Sequence, residues 1–288
     1  MAIKSREEAR REFSTQHKCE VHLKRLRWPN GVTCPKCGAN HPGYIKTRKL
    51  WQCKACRYQF SVTTGTIFHR SKIDLPRWFM AIWAMCHSPK SISAKQLERE
   101  LGVHYETAWR MAHQIRKAMK HDIFEDKLAG ILEVDAGVVK ADGGHATGNV
   151  KFQARDVLGI VERGGSLRMV AIERLTRANI ERVFRENVAV VEEIYSDACY
   201  KLKFLDAFGP HKTINHMVAE GTGEWAKGGV HVNYVENAWS LFKRALVGMY
   251  HHVSAKKLQA YLDEFAFRYS HRHEKGKLMD LVLARCVV

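Results

Sequence analysis

The sequence is poor in three features: long apolar runs, an apolar leader and, in its first part, acidic side chains. No stretch approaches the roughly 18 consecutive apolar residues that a membrane-spanning helix needs. Residues 1–13 are charged throughout, so no secretory signal is expected. We therefore expect a cytoplasmic protein without a membrane partner. In that reducing compartment, cysteines are to be considered as metal ligands or free thiols before disulfides.

Acidic residues are scarce only in the N-terminal part. Residues 1–120 carry 24 basic and 8 acidic side chains, whereas residues 121–288 carry 23 and 22. A basic part joined to a nearly neutral part suggests that the first binds a polyanion and the second has another task. Nucleic acid is the polyanion to expect first, and a solvated basic surface is the alternative.

The chain of 288 residues is long enough for about two domains, and 45% of its residues are apolar. β-Branched runs indicate strands over 132–139, 157–161, 167–172 and 193–195, and helical patterns cover 180–188 and 233–270. Strands followed by alternation with helices favour an α/β or α+β domain. The predicted segments are an N-terminal helical segment (1–32), a Cys-rich block (33–62), a helical block (72–120), a catalytic-type domain (130–272) and a C-terminal tail (273–288).

Two CxxC pairs separated by 15 residues lie in the Cys-rich block. This spacing is typical of a structural zinc site with four thiolates, in which each pair turns both sulfurs onto one ion. Gly38 relieves the tight turn after the first pair, and the alternation of Trp51, Tyr58 and Phe60 favours a small zinc ribbon. Disulfides or a redox CxxC are the alternatives. The predicted Zn²⁺ ligands are Cys34, Cys37, Cys53 and Cys56.

The remaining cysteines, Cys19, Cys86, Cys199 and Cys286, lack metal-ligand spacing. Each is interpreted as a small buried apolar residue.

Residues 91–119 have the pattern of a helix-turn-helix. Ser93 and Gln96 form a capping box, Gly102 supplies the turn, and a second helix with a 3–4 apolar period follows. The second helix of this motif enters the DNA major groove, although many helical pairs show the pattern without touching DNA. The predicted base or phosphate contacts are His104, Tyr105, Thr107 and Arg110, and the predicted phosphate contacts further along are Arg116, Lys117 and Lys120.

Three acidic residues are candidates for a shared metal site. Asp135 lies in the middle of an apolar run that predicts a buried strand, Asp197 ends a second strand, and Glu236 lies on a helix. Such a trio could surround a pair of Mg²⁺ or Mn²⁺ ions that act on a phosphodiester. Lys243, two helical turns after Glu236, would then contact phosphate, as would Arg244 beside it. Taken singly, each acid is uninformative, because an acid at a strand end or on a helix is usually solvated.

Several stretches resemble one family. They include CPKCG, WQCKAC with QFSVTTGTIFHRSKIDLPRWFMAIW, LEVDAGVV, GIVERGG, IYSDACYKL, INHMV and a long segment from HVNYVENAWSLFKRALVGMYHH to FAFRYSHR. The chain is therefore similar to the DDE transposases of bacterial insertion sequences, in particular the ISXO-like group with an N-terminal zinc ribbon that is related to the Merlin elements. The resemblance extends from about residue 15 to residue 272.

The resemblance implies an RNase H-like catalytic fold with a mixed central sheet, preceded by a zinc ribbon and a helix-turn-helix. It implies that Asp135, Asp197 and Glu236 are the catalytic acids and bind two Mg²⁺ or Mn²⁺ ions, with Lys243 as the basic residue beyond the third acid. It also implies cleavage and strand transfer at the inverted repeats of the element, with double-stranded DNA as partner and a homodimer or higher oligomer on it.

Two departures from the family pattern stand out. Ala136 replaces the acid that commonly follows the first Asp, and some members use Asn in the third role, for which Asn233 and Asn237 are candidates here. Three alternatives to a transposase remain: a non-catalytic DNA-binding regulator, a nuclease of the same fold that does not join strands, and a tyrosine recombinase using Tyr250.

Overall fold

A computed structural model describes Ile3 and residues 5–120, 127–146, 149–214, 229–251, 253–274 and 276–287. The side chains of 141–146, 149–153 and 200 are outside this description, as is most of the INHMV motif over 214–218. The chain divides into two units. The first comprises Met1–Met119 with Glu274–Val288, and the second comprises Lys120–His273.

Two capped helices open the first unit. Helix α1 (Arg6–Glu12) and helix α2 (Gln16–Arg27) begin after Ser5 and Thr15, whose side chains accept a hydrogen bond from a backbone N–H in the first turn. A three-stranded antiparallel sheet follows in the order β1-β2-β3, with β1 at Gly43–Ile45, β2 at Leu50–Gln52 and β3 at Gln59–Phe60.

Three further helices complete the sequence-continuous part of this unit: α3 (Leu75–His87), α4 (Ala94–Leu101) and α5 (Tyr105–Ala118). The Ser93 hydroxyl accepts from the Gln96 N–H, which is one half of the predicted capping box. The Gln96 side chain instead donates to Glu100. Gly102 ends α4 in the left-handed conformation (φ 62°), which a residue without Cβ adopts at little cost.

The C-terminal residues contain a helix of their own. Helix α9 (Leu278–Cys286) packs against α2, α3 and α5, and its Asp280 accepts a hydrogen bond from His22 at 2.8 Å. The segment that sequence patterning set apart as a tail thus belongs to the core of the first unit, since Leu278, Val282 and Leu283 are buried.

The second unit is built on a mixed five-stranded sheet in the order β6-β5-β4-β7-β8. Strand β4 pairs antiparallel with β5 and parallel with β7, β5 pairs antiparallel with β6, and β7 pairs parallel with β8. The elements are β4 (Leu128–Ala146), β5 (Asn149–Glu162), β6 (Leu167–Ile172), α6 (Arg177–Asn187), β7 (Val188–Asp197), a 3-10 segment (Tyr200–Ala207), β8 (His211–Ile214), α7 (Asn233–Ala245), a π-helical turn (Leu246–Tyr250) and α8 (Leu258–Ser270).

The two faces of the sheet are covered by different helices. On β4, Leu132 and Val134 belong to the apolar cluster that contains α6, whereas Ile131 and Val139 pack with the cluster that contains α7 and α8. Because side chains alternate along a strand, Glu133, Asp135 and Gly137 lie on the α7 face. Ala136 packs on the opposite face, as expected for the neighbour of Asp135.

The helix predicted over 233–270 is interrupted. The π-helical turn ends at Tyr250, the next residue His251 has a φ of 57°, and α8 begins only at Leu258. A residue with positive φ cannot continue a right-handed helix, so the chain has two helical segments where the sequence pattern predicts one. Within the described residues, no helix is both long enough and apolar enough to cross a bilayer.

Candidate active site and zinc centre

The four predicted zinc ligands converge. The sulfurs of Cys34, Cys37, Cys53 and Cys56 all lie within 4.8 Å of one another. The Cys34–Cys56 and Cys37–Cys53 sulfur pairs are each 3.6 Å apart. Four sulfurs at about 2.3 Å from one tetrahedral ion would be about 3.8 Å apart, so the arrangement fits Zn²⁺.

Each CxxC pair lies on a turn with the same backbone hydrogen bonds. The Gly38 N–H donates to the Cys34 carbonyl at 2.9 Å, and the Arg57 N–H donates to the Cys53 carbonyl at 3.1 Å. Gly38 and Arg57 both have positive φ, 72° and 63°. The Cys56 N–H lies 3.5 Å from the Cys53 sulfur and lowers the pKa of that thiol to about 6, which favours the thiolate that binds metal.

The cysteines outside the cluster behave as the sequence predicts, with one exception. Cys19, Cys86 and Cys286 are buried, whereas Cys199 is half-buried in the turn after Asp197. Burial raises the pKa of Cys19 to about 12, so that thiol stays protonated and behaves as an apolar group.

The sheet places two of the three acids side by side. Asp135 lies within the central strand β4, and Asp197 is the last residue of β7, which runs parallel to it. Val134 pairs with Ser196 in this parallel ladder. Asp135 and Asp197 each follow one member of this pair, so they lie next to each other on adjacent strands. Glu236 lies in the first turn of α7, the helix on the face to which Asp135 points.

The other two acids both act on the pKa of Asp135. Burial, followed by the negative charge of Asp197, raises the pKa of Asp135 to about 6. Glu236 adds to this rise, while the Ala136 N–H, which donates to Asp135 Oδ1 at 2.7 Å, and the ammonium of Lys243 oppose it. Mutual repulsion of this kind is relieved by a divalent cation, and carboxylate oxygens are the donors that Mg²⁺ and Mn²⁺ prefer.

The acids are less tightly grouped than the cysteines. Among the described His, Cys, Asp and Glu side chains, the four cysteines are the group of three or more whose ligand atoms lie within 4.8 Å of one another. Asp197 is held by its own turn, since its Oδ1 accepts from the Cys199 N–H at 3.2 Å.

The neighbours of Glu236 differ from it in burial. Asn233 and Asn237 are exposed, whereas Glu236 is half-buried and acts on Asp135. Further along α7, Lys243 and Arg244 are exposed in its last turn, and the Lys243 ammonium lies 5.7 Å from the centroid of the Trp239 ring. The predicted phosphate contacts thus lie on the helix that carries Glu236.

The predicted DNA contacts on α5 fall into two groups. His104, Tyr105 and Arg110 are exposed, and Thr107 is half-buried. Arg116 is only 2% exposed, which corrects its interpretation as a surface contact to phosphate. The helical period explains this difference, because Arg116 follows Met111 and Ala112 on the buried stripe of α5.

Sequence patterning missed Glu133. This residue lies two positions before Asp135 on the same strand face, and its side chain is fully buried. The available signal was a second acid within the apolar run LEVD, at the spacing that puts two side chains on one face.

Comparison with known proteins defines the class of this chain. Residues 127–270, half of its length, match the ISXO2-like transposase domain, and the chain belongs to that family. Residues 14–59 match the transposase zinc-ribbon domain. The family predicted from the sequence motifs is thereby confirmed.

A relative is similar to this chain along most of its length. It is a protein of the transposable element ISH50 of Halobacterium salinarum, 29% identical over an alignment of 287 positions that covers 92% of this chain and 94% of the relative.

Proposed function

We propose that this protein is an insertion-sequence transposase that binds the terminal inverted repeats of its element and catalyses metal-dependent DNA cleavage and strand transfer. The observation that carries the proposal is the coupling of Asp135, Asp197 and Glu236 on one face of the sheet, with the pKa of Asp135 raised to about 6. Clusters of acids with shifted pKa values are typical of catalytic centres.

The sheet supports an RNase H-like catalytic fold. Three antiparallel strands (β6, β5 and β4) are extended by two parallel strands (β7 and β8). The first acid stands on the central strand, the second at the end of the adjacent parallel strand, and the third on the following long helix. This placement assembles the acids from segments about 60 and 40 residues apart, as the family resemblance implies.

Within this site, Asp135, Asp197 and Glu236 would hold the catalytic Mg²⁺ or Mn²⁺ ions. Bound ions supply activation of the attacking oxygen and stabilisation of the leaving oxygen. Water attacks the phosphorus at the element end and the P–O3′ bond breaks, which leaves a 5′-phosphate and a 3′-hydroxyl. That 3′-hydroxyl then attacks a target phosphodiester, forming a new P–O3′ bond while the target's own P–O3′ bond breaks and releases a target 3′-hydroxyl. Because water and the DNA hydroxyl are the nucleophiles, no covalent enzyme intermediate is required. The exposed cations Lys243 and Arg244 are suited to orient the phosphates.

The first unit is proposed to bind the inverted repeats. It combines most of the basic excess of residues 1–120 with α4 and α5, two helices joined at Gly102 that we assign as the helix-turn-helix. His104, Tyr105 and Arg110 are exposed near the start of α5, where such a helix meets base edges. Binding should fall steeply with salt, and two element ends held together require a dimer or higher oligomer.

The test uses a supercoiled plasmid that carries the ends of the element, with Mg²⁺ or Mn²⁺. Asp135→Ala, Asp197→Ala and Glu236→Ala should each abolish cleavage while binding to the inverted repeat is retained. Glu192→Ala is the matched control, because Glu192 is an exposed acid on β7. Activity that survives in any of the three variants would remove that residue from the site.

Further variants and substrates distinguish the transposase from the alternative functions. Loss in Asn233→Ala or Asn237→Ala with survival of Glu236→Ala would move the third role to an asparagine. A precleaved 3′-hydroxyl end that is bound but never joined would indicate a nuclease, and inactivity of the wild type on authentic ends would indicate a regulator. A tyrosine recombinase is disfavoured because the Tyr250 hydroxyl donates to the buried Glu264 at 3.1 Å.

A further inference from the structure

Glu133 is a carboxylate in an apolar setting. It lies on the central strand β4, and its side chain is 0% exposed. Withdrawing a charged group from water is costly unless every oxygen finds a partner. The partners of Glu133 therefore show why the chain keeps an acid at this position.

One oxygen of Glu133 caps a helix that begins a hundred residues later. Its Oε2 accepts from the backbone N–H groups of Tyr234 at 2.8 Å and Val235 at 3.2 Å, in the first turn of α7. The residue at the N-cap position, Val232, makes no side-chain cap. The strand thus supplies the acceptor that the helix lacks, and a negative charge at a helix N-terminus is favourable.

The other oxygen fixes the segment that leads into α7. Oε1 accepts from Arg163 Nε at 2.9 Å and lies 3.1 Å from His231 Nδ1, an ion-pair distance without hydrogen-bond geometry. The guanidinium of Arg163 also donates to the carbonyls of Gly229 at 3.2 Å and His231 at 3.1 Å. The Glu133–Arg163 pair therefore holds both the approach to the helix and its first turn.

A second contact fixes the rotation of α7. The Trp239 ring lies over Gly137, where an added Cβ would stand 3.0 Å from the ring. A Cβ on Gly159, the cross-strand partner of Asp135, would stand 3.2 Å from Val235 and 3.3 Å from Trp239. The helix is thus capped at its start and seated closely one turn later, and Glu236 lies between these two points.

We propose that Glu133 is a positioning residue for the catalytic centre. Through the N-terminus of α7 it sets the place of Glu236 relative to Asp135, two residues further along its own strand. The inference rests on the proposed function in one respect, namely that Glu236 and Asp135 hold a divalent ion together.

The test measures Mn²⁺ binding to the full chain without DNA, by calorimetry, in parallel with the Mn²⁺ dependence of plasmid cleavage. In Glu133→Gln the amide NH₂ must face a donor, either Arg163 or the helix N–H groups. We expect the Mn²⁺ concentration at half-saturation to rise about tenfold or more in both measurements, the usual effect of losing a group that orients a metal ligand.

Val134→Ala is the matched control. Val134 is the adjacent residue, equally buried, but it packs on the α6 face. This variant should lower the melting temperature and leave the Mn²⁺ half-saturation unchanged. If Glu133→Gln fails to fold, Gly137→Ala displaces α7 through Trp239 instead and should raise the half-saturation concentration in the same direction.

The outcomes separate the two proposals. A half-saturation concentration unchanged in Glu133→Gln, or shifted equally by Val134→Ala, would overturn the positioning role while leaving the transposase proposal intact. Mn²⁺ binding that Asp135→Ala abolishes and Glu133→Gln weakens supports the positioning role, even if the wild type cleaves no DNA and the proposed function fails. Binding of Mn²⁺ that persists in Asp135→Ala would overturn the positioning role.

Discussion

The two candidate metal sites of this protein are assembled in different ways. The four cysteines lie within 23 consecutive residues and meet through two turns whose hydrogen bonds are local. The three acids come from two strands and a helix spread over 102 residues, and they meet only because the sheet and α7 are in place. A site built from local turns needs its metal to hold the fold, whereas a site built on a packed sheet does not.

The electrostatics of the two sites also differ. At the cysteine cluster the shifts have both signs. The Cys56 N–H lowers the pKa of Cys53, whereas hydrogen bonds with the Cys56 and Cys53 thiols outweigh the Ala39 N–H and raise the pKa of Cys37. At the acid site, burial and the neighbouring carboxylates raise the pKa of Asp135, and a divalent cation would relieve the repulsion among them.

The largest effect should follow loss of a zinc ligand. Cys53→Ser should abolish zinc binding and remove hydrogen-exchange protection over residues 33–60, because structural zinc contributes on the order of 10 kcal/mol to folding of such a block. Protection over 130–200 should remain. Zinc content by mass spectrometry and peptide-resolved exchange measure both. The control is Cys86→Ser, at a buried cysteine outside the cluster, which should still bind zinc. If Cys53→Ser also retained zinc, the proposed difference between the two sites would be wrong.

At the acid site, by contrast, loss of a metal ligand should reduce activity without destabilising the fold. Asp135→Asn should reduce cleavage by a factor of about 10³, since metal ions contribute several kcal/mol to such reactions. Without metal its melting temperature should equal or exceed that of the wild type, because the amide has the same shape and no charge to repel Asp197. Mn²⁺ should raise the melting temperature of the wild type alone. A drop of many degrees in the variant would show that Asp135 is structural.

A substitution at Asp263 tests whether burial alone, without a neighbouring carboxylate, raises a carboxyl pKa as it does at Asp135. Burial raises its pKa to about 6, against a hydrogen bond from Gln259 at 2.7 Å and the charge of Lys120. Because the folded pKa exceeds the unfolded value, stability is fully present below about pH 4 and declines as the pH rises through 6. Asp263→Asn should therefore add about 1–3 kcal/mol to the unfolding free energy at pH 8 and nothing at pH 4.

Urea unfolding at the two pH values measures this change, and Asp280→Asn provides a control of opposite sign. Burial tends to raise the pKa of Asp280, but the hydrogen bond from His22 and nearby positive charges outweigh it, so the pKa is lowered. That variant should lose stability at pH 8 and little at low pH, because the contribution of a lowered pKa is lost on acidification. Equal stability changes in Asp263→Asn and Asp280→Asn would refute the opposite directions of the two pKa shifts.

The contrast between local and distant assembly also explains which features of the structure can be predicted from the sequence. The CxxC spacing, β6 at 167–172 and the face of Ala136 follow from short-range patterns. The place of α9 and the cap from Glu133 to α7 depend on residues about a hundred or more positions apart, which no local period reveals. The charge of Arg116 predicts a surface contact, but its position on the buried stripe of α5 places its side chain in the interior.

The smallest effect should come from the position after each CxxC pair, which is glycine in the first turn and arginine in the second. Gly38 and Arg57 occupy equivalent positions with positive φ, and a non-glycine residue there costs about 1 kcal/mol. Arg57→Gly relieves that strain but adds freedom to the unfolded chain, so we expect a gain of about 0.5 kcal/mol, or a roughly twofold tighter zinc affinity by chelator competition.

Gly38→Ala should have the reverse sign and a larger size, about 1 kcal/mol. A Cβ at Gly38 meets nothing within 4 Å, so backbone strain is its whole effect. Lys54→Ala, which removes an exposed charge from the second turn, controls for the lost guanidinium. If Arg57→Gly weakens zinc binding, the Arg57 side chain contributes more to the site than its backbone costs, and the two turns are not equivalent.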